Sequence, residues 1–311
     1  MNYFDTMKLG FVAMAYPPPE GLFPRPERIP GAPFRPFFDP EAAKWHMSRT
    51  QELGGEVTQL FIPPDAEQAM LEDIKGHAEK TKQELELNAN VIGLAKTETR
   101  DEIRADLEKI IKIAKFLNVK ILRGAYGRLQ IAYSRFNKVW PLKDHMQYIV
   151  DNLKEAAKIM ESEGMYYALE NHCDFTGKEF AEIYSAVNSK HIGCTLDTAN
   201  GFTVFCDPNE DIEYLAEFTI ATHIKDMLVQ QFQSPQGLPM FQARGCAVGD
   251  GHVDIQRAVD LLNEKSPMRD GLHLVIEHGW MNLDGVEDPG AYNRECLVKG
   301  LAYLKKCIGR A

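Results

Sequence analysis

The sequence predicts a single (β/α)8 TIM barrel spanning residues 1–311, with an extended segment rich in proline and aromatics between its first strand and first helix. Three observations predict it. Short apolar runs alternate with amphipathic stretches along the whole chain, and no shift in composition marks a second domain. The clearest unit is residues 166–200. Its apolar runs Tyr166–Leu169 and Ile192–Leu196 each stop at an acid, Glu170 and Asp197, and between them Phe180, Ile183, Tyr184 and Val187 recur at helical spacing. Finally, no GxGxxG or GxxxxGK follows an early strand, so the mark of a doubly wound nucleotide-binding sheet is missing.

Taken in order, Lys8–Tyr16 reads as the first strand. The following YPPPEGLFPRPERIPGAPFRPFFDP has too much proline for a helix or a central strand. Its Tyr16, Phe23, Phe34, Phe37 and Phe38 are unlike a solvated linker. It is expected either as an ordered arm over a site or a neighbouring subunit, or as a loop packed on its own barrel. Asp39 and Pro40 open the first helix, since Asp suits an N-cap and Pro a first helical position. That helix runs to Leu53 and stops at Gly54-Gly55. Glu56–Ile62 is the second strand, stopped by Pro63-Pro64, and Asp65 is expected to cap the second helix. Leu87–Ala95 reads as the third strand. Arg100–Leu117 is amphipathic, with Ile103, Leu107, Ile110, Ile111 and Ala114 on one stripe. Val119–Leu122 is the fourth strand, ending in Arg123-Gly124; a long loop and a helix from Asp144 to Glu161 follow. Thr176–Asn188 is the helix between the fifth and sixth strands. Ala221–Lys225 is the seventh strand, and Gln230–Gly251 is expected as a long polar loop. Asp254–Asn263 forms a helix, Leu272–Glu277 the eighth strand, and Tyr292–Lys306 the closing helix.

A formal charge of −10 argues against a nucleic-acid backbone or an anionic membrane as partner. No run approaches the ~18 apolar residues of a membrane span. The start, MNYFDTMKLGFVAMAY, lacks the basic and long apolar regions of a signal peptide, so a cytoplasmic protein is expected. The six cysteines include no CxxC pair, which argues against structural zinc or a redox dithiol.

The last polar residues of the fifth to eighth strands are Glu170, Asp197, His223 and Glu277. In a parallel barrel these ends share one mouth. An isolated acid at a strand end usually caps the next helix, but four successive ends of liganding type are another matter. Three carboxylates and an imidazole would repel unless a cation neutralised them. Oxygen ligands with one nitrogen suit Mn²⁺ first, then Mg²⁺ or Co²⁺, better than thiolate-type zinc. Side chains two apart on a strand share a direction, so His172 follows Glu170 and Lys225 follows His223 toward the mouth. Each is a candidate to bind substrate hydroxyls or move a proton; Lys225 is equally a salt-bridge partner of one acid, and His172 a satisfied rim histidine.

In their order, ALENH, CTLDTAN, THIKD, VGDGHVD and LVIEH resemble the xylose-isomerase-like barrel superfamily, most of all its sugar isomerase/epimerase branch, from about Lys8 to Lys306. The resemblance implies a divalent metal on Glu170, Asp197, His223 and Glu277, with Glu170 and Glu277 as acid–base pair. It implies a sugar or glycoside substrate, and His172, Asn200 and Arg244 are the residues expected to bind it. The superfamily also contains three-zinc DNA-repair endonucleases, but this acidic chain lacks their basic face and strand-end histidines. The chemistry implied is enolisation: a proton leaves the carbon beside a polarised carbonyl. Its return to the other face is epimerisation, its return to the next carbon is isomerisation, and loss of a β-substituent is elimination. Epimerases usually carry a histidine three residues past the metal aspartate, where this chain has Asn200. That residue and the aromatic arm turn the expectation toward elimination from a 3-keto-glycoside, including C-glycoside cleavage. His145, at the start of the fourth helix, would be a separate base, unless it is an ordinary helix-terminal histidine; Lys225 completes the catalytic set. A sugar isomerase or 3-epimerase is the alternative, and a non-catalytic metal-binding subunit a more distant one. A homo-oligomer or a complex with a small accessory subunit is expected.

Overall fold

In the computed structural model, residues 2–13, 22–23, 38–126, 135–136, 139–172, 174–279 and 281–310 are described. Seven strands follow one another: β1 (Lys8–Val12), β2 (Val57–Leu60), β3 (Glu84–Asn88), β4 (Ile121–Ala125), β5 (Tyr166–Glu170), β6 (Ile192–Asp197) and β7 (Thr219–His223). After them come an antiparallel hairpin, β8 (Asp226–Gln233) and β9 (Pro239–Cys246), and the last strand, β10 (His273–Ile276). β1 to β7 pair in parallel in chain order, and β10 pairs with β1. The remaining seam between β7 and β10 is drawn shut by the Ile224–Ile276 bridge, with Ile224 N donating to Val275 O at 2.7 Å and Glu277 N to Ile224 O at 3.1 Å. The result is an eight-stranded parallel barrel.

Among the described residues eight α-helices wrap it: α1 (Pro40–Glu52), α2 (Gln68–Thr81), α3 (Thr97–Phe116), α4 (Leu142–Glu163), α5 (Gly177–Val187), α6 (Pro208–Leu215), α7 (Ile255–Lys265) and α8 (Pro289–Cys307). α5 shows how local sequence sets an element. Thr176 and Glu179 form a capping box, the expected stripe Phe180, Ile183, Tyr184 and Val187 is buried, and Asn188 ends the helix in the left-handed region at φ 50°. Burying each of those large side chains contributes about 1.5–3 kcal/mol. Asp39 caps α1 as expected, accepting from Glu41 N and Ala42 N, with Pro40 in the first turn. At Gly124 the barrel leaves no room for a side chain: a Cβ would sit 2.6 Å from Ala89 O and collide with the Tyr167 hydroxyl.

Several expected boundaries move. β3 lies at Glu84–Asn88, not Leu87–Ala95, and residues 89–96 form an irregular turn. The alternating ELELN looks half-solvated, yet Glu86 points into the barrel and pairs with Arg123 at 2.8 Å. α2 starts at Gln68 and is not capped by Asp65; Glu67 holds the cap position without a side-chain bond. β1 ends at Val12, and residues 14–16 of the expected first strand lie outside the described residues, as does most of the proline-rich segment. Of that segment, the Phe23 ring meets Trp45 of α1 edge-on, with centroids 6.5 Å apart.

The largest correction is Gln230–Gly251, which is mostly the β8–β9 hairpin rather than a loop. Gly237, at φ 78°, makes its turn, where Ser234 N donates to Leu238 O and Leu238 N to the Ser234 hydroxyl. At its base the buried Asp226 carboxylate accepts the N–H groups of Met227, Gly249, Gly251 and Val253. No helix among the described residues is long and apolar enough to cross a membrane.

Candidate metal centre

Glu170, Asp197 and His223 are the last residues of β5, β6 and β7, and Glu277 directly follows β10. Because these strands are parallel, their ends arrive at one mouth. One ligand atom from each lies within 4.8 Å of the others. Glu170, Asp197 and His223 are buried, at 8%, 1% and 4% exposure, and Glu277 stands at the rim.

The orientation of His223 is informative. Its Nε2 meets both Gln59 Oε1, at 2.9 Å, and the donor Arg123 Nη2; the tautomer that gives its N–H to Gln59 leaves the lone pair on Nδ1, as a metal ligand there requires. Nδ1 faces Glu277 Oε2 at 3.2 Å and Glu170 Oε2 at 3.4 Å, and it has no hydrogen-bond partner. A buried, unpartnered nitrogen aimed at two carboxylates is the arrangement a cation resolves. Charge argues the same way. Lys225 Nζ reaches Asp197 Oδ2 at 2.6 Å and Glu277 Oε2 at 2.8 Å. Three ionised carboxylates against one ammonium leave an excess of two negative charges, the balance of a divalent ion. Hard oxygens with one imidazole suit Mg²⁺ or Mn²⁺.

The titration shifts follow from this crowding. Burial raises the Asp197 carboxyl to about 6; Lys225 opposes the rise, while Glu277 and Glu170 add to it. Burial would also raise Glu277, but His223 and Lys225 bring it down to about 2. Glu170 likewise falls below the usual carboxylate range because His223, and then His172 and Lys225, outweigh burial. Burial disfavours the Lys225 ammonium, yet Asp197, Glu277 and Glu170 hold it well above the ordinary lysine value.

Neighbours fix the ligands. Asn200 is buried; its N–H donates to Asp197 Oδ1 at 3.0 Å and its amide nitrogen to Glu170 Oε1 at 3.1 Å. Asn171 exchanges two bonds with the Asp197 backbone, at 2.6 and 2.9 Å. Thr198 does the same for the Lys225 backbone, at 2.6 and 2.9 Å.

The other expected residues lie as follows around the barrel. His172 is half-buried beside Glu170, where it helps hold that carboxyl down. His145 is buried in the first turn of α4, among aromatic rings. Its Nδ1 lies 3.2 Å from the Tyr126 hydroxyl, and the Trp140 ring stands 3.6 Å from its own, tilted by 34°. Burial lowers its pKa. Arg244 sits on β9, bonding Asn282 Oδ1 at 3.1 Å and Asp284 Oδ2 at 3.2 Å, and so ties the hairpin to the loop after β10. Sequence reasoning missed Gln59, Glu86 and Arg123, which pack beneath His223. The one available signal was charge inside short strands, in ELELN and ILRGA.

A family model for the xylose isomerase-like TIM barrel matches residues 47–307. No curated protein sequence matches the chain. Similar solved structures include a xylose isomerase-like TIM barrel protein from Mycobacterium smegmatis in complex with magnesium, at 14% identity, TM-score 0.68 and full coverage of both chains. A D-psicose 3-epimerase from Clostridium cellulolyticum H10, with D-tagatose, has 14% identity and TM-score 0.67, covering 97% of this chain and 99% of that one. A 3-keto-D-glucoside 4-epimerase from E. coli has 15% identity and TM-score 0.64, covering 97% and 100%. Likeness at these identities is likeness of fold.

Proposed function

We infer the activity from one premise, that this chain belongs to the xylose isomerase-like TIM barrel family. We propose that it is a divalent-metal-dependent isomerase or epimerase, which moves a proton at a carbon next to the carbonyl of a keto-sugar. The observation that carries the proposal is the convergence of Glu170, Asp197, His223 and Glu277 within 4.8 Å around an unpartnered His223 Nδ1. The names of two similar proteins, a D-psicose 3-epimerase and a 3-keto-D-glucoside 4-epimerase, support the same reaction class. The magnesium in the M. smegmatis protein makes Mg²⁺ the first ion to try, beside Mn²⁺.

Held by those four residues, the ion would supply Lewis-acid stabilisation of the oxyanion that develops as the proton leaves. The chain's own groups do the rest. One of the Glu170 and Glu277 carboxylates takes the proton, and the other, ionised in the resting site, returns one that it first takes from solvent, each step contributing about 10²–10⁴-fold. Asn200 holds Glu170 by Oε1, leaving Oε2 on the His223 side. Lys225 holds Glu277 by Oε2 and Asp197 by Oδ2 and keeps a cation beside both. Return of the proton to the opposite face gives an epimer, and return to the neighbouring carbon an isomer.

Elimination, favoured from sequence, rested on Asn200 in the place of the substrate-holding histidine of epimerases and on the aromatic arm. Asn200 is bound instead to Glu170 and Asp197, and most of the arm lies outside the described residues. Proton return therefore takes precedence. The test is incubation with Mg²⁺ or Mn²⁺ and a panel of ketoses and 3-keto-glycosides in D2O. One carbon-bound deuterium per turnover in an intact sugar is expected. Release of the aglycone would shift the reading to elimination, and absence of deuterium from every sugar would overturn it.

A further inference from the structure

A file of polar side chains runs through the barrel from the face opposite the mouth up to His223. At the far face His273, the first residue of β10, sets Nε2 2.9 Å from Glu84 Oε2 and Nδ1 3.0 Å from Glu86 Oε1. Glu86 Oε2 accepts from Arg123 Nη1 at 2.8 Å. Arg123, 2% exposed, also donates through Nη1 to Gln59 Oε1 and through Nε to Thr195 Oγ1 at 3.3 Å, while Nη2 is a hydrogen-bond donor placed against His223 Nε2. The same Gln59 oxygen faces His223 Nε2 at 2.9 Å. The far end is open, since His273, Glu84 and Glu86 line a cavity of about 670 Å³ at the bottom of the barrel.

We propose that Arg123 and Glu86 are positioning residues for the metal centre: together they hold Gln59 and His223 so that Nδ1 turns toward the carboxylates. Three physical points lead there. Barrel interiors are ordinarily filled by layers of branched apolar side chains, whereas here Gln59, Glu86, Arg123 and Thr195 form the layer beneath the ligands. A buried ion pair is a poor source of stability, because apolar residues of the same volume serve as well or better. And a guanidinium offers a rigid planar fork of donors, suited to fixing partners in direction, which a lysine cannot do. By this account a cluster that looks like core electrostatics sets the ring orientation of a ligand. Only the affinity part of the proposal rests on the metal reading above; the orientation of His223 stands without it.

The experiment compares the wild-type chain with Glu86→Gln and with the pair Arg123→Met/Glu86→Leu. Three readouts are taken: thermal stability without metal, Mg²⁺ affinity by calorimetry, and the His223 tautomer from ¹⁵N shifts of the metal-free protein. Glu86→Gln is expected to weaken Mg²⁺ binding about 10–100-fold, as for other partners of ligating histidines. The apolar pair is expected to restore stability, yet keep the weakened affinity and populate the other tautomer. Recovery of affinity together with stability would overturn the proposal, as would an unchanged tautomer in both variants. If Glu86→Gln does not fold, His273→Gln takes its place, because its side chain meets only Glu84 and Glu86 among these groups; the same direction of change is expected, severalfold in size. Should the wild type bind no Mg²⁺, the metal reading fails, and the tautomer alone decides this one: a change upholds it, no change sinks it.

Discussion

Replacing His273 by glutamine should flatten the alkaline limb of the stability profile. Burial lowers the His273 pKa, but the hydrogen bonds it donates to Glu84 and Glu86 outweigh burial and raise the group from 6.5 to about 9. Both partners are themselves held near 2, so neither titrates in the same range. A group whose folded pKa lies above its unfolded one adds stability that is complete below the unfolded value. That stability is lost as pH rises through the folded value, which places the window between pH 6.5 and 9. At 1.36 kcal/mol per pKa unit the whole shift amounts to about 3 kcal/mol. Glu84 is half-exposed, so its part is screened, and about 1–2 kcal/mol should survive. For domains somewhat smaller than this chain, each kcal/mol moves Tm by about 2–4 °C. Circular-dichroism melts at pH 6 to 9.5, without added metal, make the comparison. The wild type should lose several degrees across the window relative to His273→Gln. Parallel profiles would refute the reasoning.

Two further substitutions test the frame around the site. Thr176→Ala removes one half of the α5 capping box and should cost about 1 kcal/mol, read as a lower denaturant midpoint with an unchanged slope. Asp226→Ala leaves four N–H groups without their acceptor, and hydrogen exchange at Gly249, Gly251 and Val253 should accelerate well before the barrel strands respond.

The parts of this molecule legible in its sequence are those whose cause is local. Glu170, Asp197, His223 and Glu277 could be picked out because each closes a short apolar run, and a parallel barrel turns that shared position into proximity. The α5 stripe and its capping box are written within a dozen residues. Other features depend on distant partners. Glu86 is tolerable inside the barrel only because Arg123 and His273 meet it there, so β3 was displaced toward a more apolar run. The role of Arg123 depends on Gln59 and His223, 64 and 100 residues away in the chain. Asn200 is expected as a substrate contact only through the family resemblance, and nothing local in the sequence announces the bond of its amide nitrogen to Glu170. The hairpin was missed because its exposed strands mix polar and apolar residues without clean alternation, and because pairing, rather than burial, holds them together.

Calorimetric titration of the metal-free chain with Mg²⁺ and with Mn²⁺, beside Asp197→Asn, tests the central claim most directly. Asp197 is the deepest of the four acids and histidines, and the substitution removes its charge while keeping its shape. One ion per wild-type chain, and none in the variant, is the predicted result. An equal affinity in both, or no binding by the wild type, would contradict a metal centre at this mouth.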